Sequence, residues 1–135
     1  MKNLRSLSTV AASLLIITLF NACTDETADP GTPGSDRDKY VGSWLCKESV
    51  NGAQVAAFTV QIQKYGSQDS LKVYNFGNAG ASDYAIWLVS GNSITVPAQA
   101  VAQINFDGYG FYSNSKLNLN YNSDGEATTA EYTSN

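Results

Sequence analysis

The 135-residue chain has no histidine, two cysteines, three prolines and one methionine. Without an imidazole there is no Ser-His or Cys-His pair and no ordinary catalytic zinc site, because each needs a base or ligand that is neutral near pH 7. Cations are scarce as well: eight Lys and Arg stand against twelve Asp and Glu, a formal net charge of −4. Nucleic acid is therefore not an expected partner, since binding it takes clustered cations to neutralise phosphate. No window has an amphipathic helical period of useful length, and that points to strands for the folded part. Carboxylates remain as possible chemistry. Glu48, Asp69, Asp83, Asp107, Asp124, Glu126 and Glu131 stand mostly in or beside turn sequences, where Asp is explained by hydrogen bonding to its own backbone. No catalytic residue is assigned, and the chain is read as a non-enzyme. Asp107-Gly108 and Asp124-Gly125 lack the spaced oxygen ligands of a calcium loop, so neither a metal nor another cofactor is expected.

Long apolar runs are missing too, apart from one. Lys2 and Arg5 precede the stretch Val10-Ala11-Ala12-Ser13-Leu14-Leu15-Ile16-Ile17-Thr18-Leu19-Phe20, which fits the h-region of a secretory signal peptide and is short for a membrane-spanning helix. It runs into Leu19-Phe20-Asn21-Ala22-Cys23, which resembles the lipobox of bacterial lipoproteins. Phe20 and Asn21 depart from the tight form of that motif, in the manner of the looser lipoboxes of Bacteroidetes-type lipoproteins. The resemblance implies a signal peptide over residues 1–22 and a palmitate-type lipid on Cys23. The alternative is an ordinary signal peptide cut nearby, leaving Cys23 as a free thiol or a disulfide partner.

Residues 23–38 contain no apolar side chain larger than alanine before Asp36 and read as a disordered tether. Extended, such a segment spans about 50 Å at roughly 3.3 Å per residue. Its acids just after Cys23 resemble the export signals of surface-exposed lipoproteins, and simple solvation explains them equally well. Cleavage before Cys23 leaves 8 − 2 = 6 Lys and Arg against 12 Asp and Glu, a net charge of −6. Anionic headgroups would repel that chain. Membrane attachment then rests on the lipid, at about 0.8 kcal/mol per buried methylene, and the expected location is the cell envelope, on an outer membrane, facing the periplasm or the exterior.

Residues 39–135 suffice for one domain with a modest core. Phe58, Val60 and Ile62 alternate with Thr59, Gln61 and Gln63; Leu117, Leu119 and Tyr121 alternate with Lys116, Asn118, Asn120 and Asn122. Period two over such lengths predicts strands with one wet face. Turn signals at Asn51-Gly52, Gly66 to Asp69, Gly77 to Ser82, Gly91-Asn92, Ser113-Asn114 and Asp124-Gly125 separate eight strands. They are expected near 40–50, 54–65, 69–76, 83–90, 92–97, 101–112, 115–122 and 126–133. Short connections favour an all-β antiparallel meander closing into a small barrel, with an open sandwich as the alternative. Asp107-Gly108-Tyr109-Gly110 is read as a bulge or sharp bend inside the sixth strand, or else as one more hairpin turn.

The first strand contains Gly42-Ser43-Trp44. Gly-x-Trp opening an eight-stranded meander resembles the lipocalin-like domains of the calycin group. In that resemblance Trp44 closes one barrel end and Gly42 lets the entering chain pass close beneath it. Phe76-Gly77 and Gly91-Asn92-Ser93-Ile94-Thr95-Val96-Pro97 are similar to the turn-and-strand pattern of small lipocalin-like lipoproteins of Bacteroidetes type. Cys46 lies two residues beyond Trp44 and shares its face, so a buried thiol is expected, with an intermolecular disulfide or a reactive role as the alternatives.

One strand is apolar on both faces. Tyr84, Ile86 and Leu88 share one side, while Ala85, Trp87 and Val89 share the other. If Trp87 lies outside with Tyr84, Tyr74 or Tyr112, it forms a platform for sugar rings or a protein partner; otherwise neighbouring chain covers it. The inner set (Phe58, Val60, Ile62, Leu71, Val73, Ile104, Leu117 and Leu119) either fills the barrel or lines a small apolar cavity. Three roles follow: carriage of a small hydrophobic molecule, contact with an envelope protein as accessory subunit or inhibitor, and glycan binding.

Overall fold

The computed structural model describes residues 36–135. Cys23, the expected signal peptide and most of the tether lie outside them. Among the described residues, no helix is long and apolar enough to cross a membrane.

Nine strands follow in chain order: β1 Gly42–Val50, β2 Ala53–Gln54, β3 Phe58–Tyr65, β4 Ser70–Tyr74, β5 Tyr84–Ser90, β6 Ser93–Val101, β7 Ile104–Ser113, β8 Lys116–Ser123 and β9 Glu126–Ser134. Successive strands from β3 to β9 are antiparallel neighbours, β1 pairs with β3, and β1 also pairs with β9 over seven residues from Trp44↔Ser134 to Val50↔Thr128. The result is a closed eight-stranded antiparallel up-and-down barrel, with β2 as a two-residue extra on the β1 hairpin. The second expected strand, 54–65, is divided because the chain leaves the ladder at Val55 to Ala57 before rejoining β1 as β3.

Alternation governs which side chains enter. Val60 and Ile62 of β3 and Leu117, Leu119 and Tyr121 of β8 are buried, while Gln61, Gln63, Asn120 and Asn122 face out. Asn51-Gly52, Asn114-Ser115 and Asp124-Gly125 form tight connections with both residues at positive φ, the turn whose twist matches that of the strands it joins. Ala102-Gln103 does the same with φ of 48° and 68°. No glycine or asparagine marks that turn, so the sequence reading ended the fifth strand at Pro97 instead of Val101.

Pro97 survives inside β6 because the ladder is already broken there. Register between β6 and β7 shifts from Val96↔Gly108 to Gln99↔Phe106, a bulge that sets Pro97 and Ala98 against Asp107. Across the other edge, β5 and β6 pair only from Leu88↔Thr95 to Ser90↔Ser93. Continuing that register sets Ile86 opposite Pro97, which has no N–H to give. The Gln99 side chain takes over: its Oε1 accepts from Ile86 N at 2.7 Å, and its Nε2 donates to Ile86 O at 2.8 Å and Pro97 O at 3.0 Å. A side-chain amide thus stands in for a missing strand residue.

The Asp107 to Gly110 segment corrects one expectation. β7 runs unbroken through it, in register with β8 from Phe106↔Ser123 to Ser113↔Lys116, and the bulge lies on the facing strand β6. Gly108 and Gly110 serve close approach instead. A Cβ on Gly108 would collide with Tyr121 Cβ and stand 2.5 Å from Asn120 O; one on Gly110 would run into Asn118 O and stand 2.7 Å from Leu119 Cγ.

Both ends of the barrel are stopped by aromatic rings. At one end, the 3₁₀ turn Asp38–Tyr40 drops Tyr40 into the core, where its ring meets Tyr112 edge-on at 5.8 Å and its hydroxyl donates to Gly91 O at 2.8 Å. Trp44 is buried beside it and donates Nε1–H to Tyr40 O at 2.8 Å. At the other end, the short 3₁₀ segment Phe76–Asn78 turns Phe76 inward against Trp87, Phe106 and Tyr121, with ring centroids 4.7–5.4 Å apart.

Candidate functional site

The two-sided apolar strand β5 points Ala85, Trp87 and Val89 into the barrel, and Trp87 is fully buried. It packs edge-on against Phe76 and Tyr132. Trp87 is therefore not part of an exposed platform: its ring belongs to the packed interior, between Phe76 and Tyr132. Tyr84 and Tyr74 do lie outside together, paired across β4 and β5 with ring centroids 5.5 Å apart. Tyr112 is elsewhere, half-buried at the Tyr40 end. Gly42 has φ of 137° and open space where a Cβ would stand. Its contribution is a conformation few L-residues adopt, not the close passage expected.

The inner face also holds a polar group that the sequence reading left among the turn acids. Trp44, Cys46 and Glu48 alternate inward along β1, and Glu48 is only 4% exposed. Its carboxyl accepts a very short hydrogen bond from the Tyr121 hydroxyl, and the Cys46 thiol lies 3.5 Å from the same oxygen. Burial pushes the Glu48 carboxyl above its ordinary range, opposed by the hydrogen bonds from Tyr121 and Cys46. Burial, with the neighbouring Glu48 carboxyl adding to it, likewise raises the Cys46 thiol and the Tyr121 hydroxyl far above their usual values. Such a thiol stays protonated and inert at neutral pH. The same two-residue parity that placed Cys46 inward was the signal for Glu48. Around this group, Trp87 Nε1 and Thr128 Oγ1 are buried with no hydrogen-bond partner among the described residues, and the buried Tyr132 hydroxyl is left with the Cys46 thiol.

Outside, two aromatic patches differ in one respect. Over Tyr65 and Tyr84, the Lys72 ammonium sits 4.7 and 4.5 Å from the two ring centroids, so these rings already hold a cation. On β7, Tyr109 is 66% and Phe111 47% exposed, with no ring or cation partner among the described residues. Sequence reasoning passed over both because it treated Asp107 to Gly110 as a bend. Register sets Tyr109 beside Asn120 and Phe111 beside Asn118. A groove of about 420 Å³ runs from Phe111 and Asn118 toward Lys47 and Gln54, and a second of about 260 Å³ is lined by Tyr109, Asp107 and Asn122; they share Asn120 and Thr129.

What the fold defines is a class: a small, closed, eight-stranded antiparallel barrel, consistent with lipocalin-like architecture. No family model, curated protein or solved structure matches the chain.

Proposed function

We propose that the chain is a lipocalin-like lipoprotein of Bacteroidetes type, acylated on Cys23, held to an envelope membrane by residues 23–38, and that its barrel is a non-catalytic binding module that meets its partner on its outer surface. The observation that supports the outer surface is the filling of the barrel: Trp87, Tyr132, Phe76 and Phe106 are all fully buried within it. Cargo carriage needs interior volume, and here the chain's own rings take that volume. The anchoring half rests on the order of basic start, apolar run, Ala22-Cys23 and polar tether. On this reading the partner is an envelope protein or a glycan.

Carriage of a small hydrophobic molecule is the second reading, favoured by Trp87 Nε1 and Thr128 Oγ1, buried without a partner among the described residues, which a guest with its own polar group would satisfy. Native mass spectrometry of the protein purified from its own cells separates the two. The expected mass is that of the acylated chain alone; a retained small molecule overturns the outer-surface reading. Cys23→Ala is expected to move the protein from the membrane fraction to the soluble one, and unchanged fractionation would count against acylation.

A further inference from the structure

We infer that the outer face of β7, β8 and β9 is a carbohydrate site, taking a neutral glycan with one sugar ring over Tyr109 and the next over Phe111. This rests on the outer-surface reading above and names the class of partner.

Four observations converge. Tyr109 and Phe111 are the most exposed of the chain's large apolar side chains among the described residues. Unlike Tyr65 and Tyr84, they carry no cation over their rings. They stand two residues apart on one face of one strand, about 6.8 Å, a spacing on the scale of one sugar residue. The apolar face of a pyranose stacks on such rings as other flat apolar groups do.

The hydrogen-bonding side is equally specific. Asn118 and Asn120 flank the two rings, and among the described residues neither side chain has a hydrogen-bond partner. Each amide offers two donor hydrogens and a carbonyl oxygen, matching hydroxyls that both donate and accept. Asp107 is already oriented, accepting from Asn122 Nδ2 at 3.2 Å, and it keeps a second carboxylate oxygen for a further hydroxyl.

Charge decides between ligand classes. Along the grooves, Lys47 stands against Glu131 and Asp107, and Glu131 is paired to the Lys116 ammonium at 3.1 Å. A face with no excess of cations, on a chain with a formal charge of −4, complements an uncharged, hydroxyl-rich partner. A protein partner would be expected to meet an apolar centre. Here the groove walls interleave amides, hydroxyls and charged side chains with Leu119, Ala127 and Ala130, and two rings stand in them.

The test is binding of the full soluble chain (Cys23→Ala, signal peptide removed) to an array of neutral and N-acetylated glycans. Affinity electrophoresis follows, in native gels containing a soluble β-glucan, α-glucan, mannan or xylan. The expected result is retention by at least one neutral glycan. The Tyr109→Ala/Phe111→Ala variant should lose that retention, Asn118→Ala/Asn120→Ala should weaken it at least tenfold, and Tyr74→Ala/Tyr84→Ala should leave it unchanged. All six side chains are at the surface, and thermal unfolding of each variant verifies that the barrel persists. No retention by any glycan, or retention that survives loss of Tyr109 and Phe111, overturns the assignment. If native mass spectrometry of the same chain then shows no retained molecule, the outer-surface reading stands without the glycan; if it shows one, both fall.

Discussion

Replacing Glu48 by glutamine removes a titrating proton from the barrel interior while keeping the volume and the hydrogen bond to Tyr121. The carboxyl is 4% exposed, and burial raises its folded-state pKa above the ordinary value of 4.5. A raised carboxyl stabilises the fold fully below the unfolded-state pKa. Above about pH 4.5 the unfolded chain releases this proton while the folded chain keeps it, so stability falls as pH rises. The slope is at most about 1.4 kcal/mol per pH unit for one proton, and it ends once the folded carboxyl itself ionises. Glutamine has no such loss, and its amide still donates and accepts within reach of Tyr121 and Cys46. Urea unfolding of wild type and Glu48→Gln, followed by tryptophan fluorescence from pH 3.5 to 8, isolates the effect, since every other acid cancels in the difference. The difference should be flat below about pH 4 and then move in favour of Glu48→Gln as pH rises, no more steeply than about 1.4 kcal/mol per pH unit. A difference that stays flat throughout, or that moves toward wild type as pH rises, refutes a carboxyl destabilised by burial.

Other consequences are local. Gly108→Ala drives a methyl into Tyr121 and Asn120 O and should cost about 1–3 kcal/mol in urea unfolding, as overpacking does elsewhere; a neutral result would mean that β7 and β8 separate freely. Gln99→Ala strips Ile86 N–H and C=O of their partners and should cost about 1–3 kcal/mol, with faster amide exchange at Ile86 as the site-specific readout. Cys46, fully buried with its thiol held protonated, should resist iodoacetamide in the native protein and react in 6 M guanidinium; rapid native labelling would contradict the packed interior.

Alternation and turn chemistry sufficed for the barrel because both are local. Val60, Ile62, Leu117 and Leu119 reveal a face within a few residues, and Asn51-Gly52 or Asp124-Gly125 reveal a turn. What escaped depends on neighbours remote in sequence. Whether Trp87 or Tyr84 faces inward is undecided along a strand apolar on both sides, and is settled by the space between Phe76 and Tyr132. Pro97 looked like a stop because nothing near it announces that Gln99 will serve Ile86. Tyr109 hid inside a motif read as a bend, and its exposure follows from Gly108 and Gly110 packing β7 against β8. Of the residues proposed for contact, Tyr74 and Tyr84 share a surface, Trp87 is core, and Tyr112 belongs to the Tyr40 end.

The β1–β9 seam has a consequence for the order of events in the cell. It joins the first strand to the last, down to a hydrogen bond of Asn135 N to Ser43 O at 3.1 Å and a side-chain contact across 92 residues. A chain that emerges from a translocation channel with its N-terminus leading cannot close this seam until its final strand has cleared the pore. Non-local closure of that kind is slow in any case, so on the export route proposed above the topology would keep the chain threadable during passage and complete the domain on the far side.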